Sequence, residues 1–457
     1  MTDQRSSALE YAEANKEQFL KSLKDILTIP SISTDPSRVV DMNRAAEWVA
    51  TQLISLGMQK VKLYPTAKHP IVYGESKTKN GMPTVLIYGH YDVQPVDPLE
   101  LWNSQPFEPT KRGDNLFARG ASDMKGQIVA AIKAIEAIVK TGGLPVNVKW
   151  IIEGEEEIGS PNLESFIGEH KALLECDFAL NPDSGMIGVD APSITYALRG
   201  LAYFELKIFG PATDLHSGIY GGVVHNPANA LAELIAGMHD EQGRVTLPGF
   251  YDAVISLSDE ERAEMARLPL KAQHFLGQTG VPALAGETGF SPVEQASARP
   301  TLDVNGLLSG FTGTGSKTII PAWAMAKISM RLVPNQDPKE VHKQFIKYLE
   351  ANASKDIRWE LTAMAGGRAS ISSRNSAGVI ALRKALKTSW GVDPYFKREG
   401  GSVPVVTHMQ EILGVDSVLT GFGLPDDNLH APNEKIHLPT WYKGINALIH
   451  FFLNLAD

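Results

Sequence analysis

Three consecutive carboxylates stand in Glu153-Gly-Glu-Glu-Glu-Ile-Gly-Ser160, directly after the apolar run at 146–152. Each ionised carboxylate raises the free energy of its neighbours, so such a cluster is costly unless a cation shares the site. Further ligand types occur in similar settings. They are His90 and Asp92 in Tyr88-Gly-His-Tyr-Asp-Val-Gln-Pro95, Asp123 in Gly120-Ala-Ser-Asp-Met-Lys-Gly126, Asp183 in Asn181-Pro-Asp-Ser-Gly185 and His430 in Asp426-Asp-Asn-Leu-His-Ala-Pro432. Zinc and manganese take histidine nitrogen and carboxylate oxygen. A bridged pair of ions about 3.5–4 Å apart needs roughly two terminal ligands per ion and one shared carboxylate. Two histidines and three carboxylates meet that need. A glutamate beside a glutamate ligand is then left to accept a proton from water. The set reads as one two-metal hydrolytic site.

Elements must bring these residues together. Residues 8–28 and 45–56 have helical patterns, and 61–64 alternates like a strand. Residues 83–88 read as a strand buried on both faces that runs into His90. Ile128, Ile132, Ile135 and Val139 recur at helical spacing after Asp123. Strand at 146–152, helix at 162–174, strand at 178–180, helix at 379–390, strand at 417–420 and a closing helix at 442–455 complete the pattern. Such alternation predicts an α/β fold, a mostly parallel sheet sandwiched by helices. His90, Glu157, Asp183 and His430 each follow a predicted strand and Asp123 precedes a helix, which is where open α/β sheets collect ligands. The pattern changes near Arg199: 201–209 and 325–333 alternate like half-exposed strands, and 281–306 is irregular and rich in Gly, Pro and Ala. The expected organisation is a catalytic domain of residues 1–198 and 370–457, with an α+β unit, 199–369, inserted between its parts.

Composition narrows the function. With 457 residues the chain is long enough for two or three cores. Its 43 basic and 52 acidic residues give a net charge of -9, without a basic stretch suited to a phosphate backbone, so nucleic-acid binding is not expected. No apolar stretch approaches the roughly 20 residues a membrane helix needs, and the first residues carry no signal-peptide core. The single cysteine, Cys176, lacks an adjacent histidine and reads as a small buried residue. One cysteine cannot form an intrachain disulfide, which fits a cytoplasmic location.

His90-x-Asp92, Gly-x-x-Asp123-x-Lys-Gly, the glutamates before Ile158-Gly-Ser160, Asp183 and His430 resemble the motifs of the cocatalytic-zinc aminoacylase, carboxypeptidase and dipeptidase family. Leu215-His-Ser-Gly-Ile-Tyr-Gly-Gly222, Arg331-Leu-Val-Pro-Asn335 and Arg398-Glu-Gly-Gly-Ser-Val-Pro404 look most like its cytosolic nonspecific dipeptidases and carnosine dipeptidases. The resemblance implies two divalent ions, zinc first and manganese second. His90 and Asp183 would hold one, Glu157 and His430 the other, and Asp123 would bridge them. Asp92 would orient the His90 imidazole, and Glu156 would be the general base. Because Glu155 replaces an apolar residue common in the family, the register of the glutamates is open by one residue.

The inserted unit would act as a lid and dimerisation domain. By resemblance His216 would reach the partner subunit's active site in a homodimer, although its setting also suits a turn histidine. Arg331 would clamp a substrate carboxylate, although its strand position also suits a solvated sheet face. Gly401 and Ser402 would add donors to that carboxylate, or simply make a tight turn, and Thr318 would line the pocket. Hydrolysis of dipeptides is the expected activity. Deacylation of N-acyl amino acids and carboxypeptidase action on short peptides are the alternatives, and the length of the insert favours the dipeptidase.

Overall fold

The computed structural model describes residues 2–401 and 403–456. The chain divides into two compact units. The first comprises Met1–Tyr196, Ser372–Lys397 and Pro404–Asp457, the second Ala197–Ile371 and Arg398–Val403. Segment 398–403, expected in the catalytic domain, therefore groups with the inserted unit. The cause is local pairing: the Arg398 guanidinium binds the Glu261 carboxylate, and the Arg199 N–H donates to the Glu399 carbonyl at 3.1 Å.

In the first unit the sheet is built on β1 (Gln59–Tyr64), β2 (Ile71–Glu75), β3 (Thr84–His90), β4 (Asn147–Glu153), β5 (Phe178–Asn181) and β6 (Ser193–Leu198), with Ser417–Leu419 between the last two. β4, β3, β5 and Ser417–Leu419 run parallel, whereas β1, β2 and β6 join antiparallel at the flanks. The fold class is thus the expected α/β, with the parallel strands at the centre of a mixed sheet. Val85, Leu86, Ile87 and Tyr88 are fully buried, as continuous apolar runs in parallel strands require. Each such burial is worth about 1.5–3 kcal/mol.

The helix Lys125–Lys140 is buried on nearly every face and packs on Leu438–Asn454, which in turn packs on Ala377–Trp390. Gly89 lets that first helix approach β3. A Cβ there would sit 2.8 Å from Ile128 Cγ1, closer than carbon atoms pack. Gly154 does the same at the end of β4, where a Cβ would meet the Tyr91 ring at 2.4 Å. Glycine at these two positions brings the last residue of β3, the loop before the helix and the loop after β4 together.

The second unit holds an antiparallel sheet in the order Thr301–Ser309, Trp323–Leu332, Gly200–Phe209, Arg358–Gly367. Its residues alternate strictly along the two central strands. Phe204, Leu206, Ile208, Ile328 and Met330 are buried, with Leu231, Leu234, Phe345 and Leu349 of two helices in the same core. One face is therefore a core and the other is open. Exposed apolar side chains occur at Ile219, Tyr220 and Val223 and again at Leu307, Leu308 and Phe311.

Candidate metal centre

His90 ends β3 and is fully buried. Its Nδ1 lies 3.2 Å from the Asp92 carbonyl and 3.4 Å from Asp92 Oδ1, an acceptor pair that engages Nδ1 and turns Nε2 towards the other acids. Nε2 is buried without a hydrogen-bond partner among the described residues. It faces Asp123 Oδ1 at 3.2 Å, Asp183 Oδ2 at 3.7 Å and Glu156 Oε2 at 4.0 Å. His430 Nε2 faces the other oxygen of Asp123 at 2.9 Å and Glu157 Oε2 at 3.4 Å. Asp123 thus offers one oxygen to each imidazole. Ligand atoms of His90, Asp123 and Glu157 all lie within 4.8 Å of one another.

Local sequence explains each placement. After β4 the chain turns through a short helical turn, Glu156–Ile158, closed by Gly159 at φ 85°. The Asp92 carboxylate accepts the N–H groups of Glu156 at 3.3 Å and Glu157 at 3.0 Å, so one side chain aims both glutamates and faces His90. Asp183 sits two residues past β5, its N–H bonded to Asn181 Oδ1 at 2.9 Å. His430 lies on a loop, its side chain 57% exposed and its φ at 59°.

The three neighbouring glutamates point in different directions. Glu155 is buried elsewhere: its carboxylate takes the Thr66 hydroxyl, the His69 N–H at 2.9 Å and Asn162 Nδ2 at 2.6 Å. Glu156 and Glu157 are the two that face the imidazoles.

Electrostatics describe a cage that demands positive charge. Burial pushes the Glu157 carboxyl up to about 8, reinforced by Asp123, and holds those of Asp183 and Glu156 above the usual range. Burial opposes a charge on His90, yet Asp123, Asp92, Asp183 and Glu156 overcome it and hold the imidazolium well above its ordinary range. The hydrogen bond to Asp123, against burial and with help from Glu157, pushes His430 up to about 9. Asp123, although desolvation opposes it, is drawn well below the carboxylate range by both imidazoles. Acids that hold protons beside imidazoles that will not lose them are what divalent cations displace. The donor set fits a metal.

Sequence reading overlooked Gln94, Asp427 and Glu434. Gln94 Nε2 donates to Glu157 Oε2 at 2.6 Å. Glu434 is fully buried and accepts from the N–H groups of Gly120, Ser122 and Asp123. Asp427, equally buried, accepts from Ser122 Oγ at 2.9 Å. A buried acid close to a ligand in sequence was the available signal, in the Asp426-Asp-Asn and Pro-Asn-Glu434 stretches flanking His430.

The remaining expected residues belong to the second unit. His216 is exposed, and its Nδ1 accepts the Gly218 N–H at 3.0 Å, the turn geometry its sequence allowed. It pairs with Ile319, next to Thr318, whose carbonyl accepts the Ser217 N–H at 3.0 Å. Arg331 stands on the open sheet face between Thr301 and Leu201 and lines, with Arg199, a cavity of about 890 Å³. Gly401 is exposed, and Ser402 lies outside the described residues. Cys176 is half-buried rather than buried, and burial pushes its thiol up to about 12, so it is no thiolate nucleophile.

Residues 86–454 match the peptidase family M20/M25/M40. The chain belongs to that family. It is 30% identical over 466 residues to a Cys-Gly metallodipeptidase of Candida albicans, covering 96% of both chains. To a Beta-Ala-His dipeptidase of Homo sapiens it is also 30% identical, over 98% of this chain and 92% of the human one. Among solved structures, a metallo-carboxypeptidase of this family from Sulfolobus solfataricus superposes with a TM-score of 0.84 at 35% identity, covering 96% of this chain and 99% of that one. Membership makes the chain a metal-dependent peptidase, as the motif resemblance implied. No helix among the described residues is long and apolar enough to cross a membrane.

Proposed function

We propose that this member of the family is a dipeptidase using two divalent cations, zinc or manganese, to cleave dipeptides with a free C-terminal carboxylate. The observation that carries the reading is the Asp123 carboxylate, which turns one oxygen to His90 and the other to His430. His90 and Asp183 would hold one ion, Glu157 and His430 the second, and Asp123 both. Bound ions of this kind lower the pKa of water and polarise a carbonyl. Glu156, half-buried and with a raised pKa, would accept a proton from the attacking water and return it to the leaving amine. Asp92 holds His90 in one tautomer and orients both glutamates.

On the second unit, Arg331 presents a planar guanidinium suited to the substrate's carboxylate. By the family resemblance Thr318, Gly401 and Ser402 would add contacts to the same carboxylate. His216 serves a partner subunit's site, where an exposed imidazole can stabilise a developing oxyanion. The exposed Ile219, Tyr220, Val223, Leu307 and Leu308 support a homodimer formed through this unit. A single cysteine supports a cytoplasmic setting.

The Sulfolobus solfataricus likeness favours a second reading, carboxypeptidase action on short peptides. Metal-free protein reloaded with zinc or manganese and given dipeptides, tripeptides and N-acyl amino acids separates these. Dipeptide turnover with tripeptides left intact is expected. Equal tripeptide cleavage would establish the carboxypeptidase, and turnover of N-acyl amino acids alone a deacylase.

A further inference from the structure

His90 and His430 are held by different means. His90 ends a buried central strand, so the sheet fixes it. His430 is the tip of an exposed excursion, with its side chain 57% in solvent and its backbone at positive φ. Packing at the tip therefore does not place it, and its position is set at the neck of the loop. There the Lys435 N–H donates to the Asp427 carbonyl at 3.0 Å and closes the excursion. The Asp427 carboxylate accepts from the Leu424 N–H at 2.8 Å, Ser122 Oγ at 2.9 Å and Lys435 Nζ at 3.0 Å. Glu434 Oε1 accepts the N–H groups of Ser122 and Asp123 at 3.0 and 3.1 Å. Its Oε2 accepts the Gly120 N–H and Arg119 Nη1, both at 2.9 Å. Both acids are fully buried and both reach across to the loop that carries Asp123.

We propose that Glu434 and Asp427 are positioning residues that lock the Asp123 loop to the His430 loop and so set the affinity of the ion held on the His430 side. This rests on the two-ion reading above. Neither acid touches a ligand side chain; each acts through the backbone or hydroxyl of the neighbouring loop. A carboxylate is needed at 434 because both of its oxygens face N–H donors. Glu434→Gln would turn an NH2 group against such donors and lose that half of the clasp. The ion on the His90 side shares Asp123 but should lose less, because its histidine is held by the sheet.

Calorimetric titration of metal-free protein with zinc, alongside steady-state kinetics on a dipeptide, tests this. The unaltered protein should take two ions, with His430→Ala identifying the binding phase that belongs to its side. In Glu434→Gln and Asp427→Asn that phase should weaken about 10–100-fold and the other by clearly less. Saturating zinc should restore kcat with KM unaltered. The proposal is overturned if both variants, folded by circular dichroism, load two ions with unaltered affinities, or if saturating zinc leaves kcat low. Should Glu434→Gln not fold, Asp427→Asn alone decides. Fewer than two ions in the unaltered protein would overturn the two-ion reading itself, and the clasp with it.

Discussion

At the scale of single residues, neighbouring acids do different work because their surroundings differ. Glu155 spends its oxygens on Thr66, His69 and Asn162, whereas Glu156 and Glu157 have their backbones fixed by Asp92 and their side chains turned to the imidazoles. Glu156→Gln keeps the shape and removes the proposed base. It should lower kcat by roughly 10²–10⁴-fold with both ions still bound, measured by kinetics beside metal analysis. Glu155→Gln should leave chemistry intact and affect stability only.

His450 gives a separate expectation. Burial first, and then the Arg5 guanidinium 3.1 Å from its Nδ1, push its pKa down to about 4 from 6.5. The native side chain stays neutral between those values while the unfolded chain takes a proton. Stability present above pH 6.5 is therefore lost as the pH falls from 6.5 towards 4. Urea unfolding across that range should show His450→Gln flattening the decline.

The elements position the site through close approaches that a hydrophobic pattern only half reveals. β3, β4 and β5 were legible as apolar runs, and their carboxyl ends as the place where the candidate ligands gather, because burial on both faces leaves few other patterns. The antiparallel flanks were not legible, since strand direction depends on connections rather than on side chains. Residues 8–28 form two helices, Thr2–Ala14 and Lys16–Leu27, because Asn15 turns its side chain onto the Tyr11 carbonyl. Glu434 escaped notice because its partners are about 310 residues away in sequence. Gly89 is the element-scale test. Gly89→Ala forces Ile128 and the helix Lys125–Lys140 away from β3. A loss of about 1–3 kcal/mol is expected, with weaker metal uptake as Asp123 withdraws from His90. A melting temperature and zinc affinity equal to those of the unaltered protein would contradict that role.

For the whole molecule, two units divide the labour: the first carries the proposed metal ligands and the second the groups assigned to the substrate and the partner subunit. If His216 serves a partner, activity depends on assembly. Val223→Asp places a charge at a side chain that is 82% exposed and should yield a monomer in sedimentation with little activity. Mixing His216→Ala with Glu156→Gln subunits should restore about a quarter of normal activity, since half the random dimers hold one complete site. No recovery on mixing would place His216 in its own subunit's site or outside catalysis.

The carboxylate shared by His90 and His430 is examined most directly by zinc-edge anomalous diffraction from crystals of the reloaded protein. Two peaks about 3.5–4 Å apart, with one Asp123 oxygen on each, are expected. A single peak, or two peaks with Asp123 bound to only one, would contradict the bridged centre.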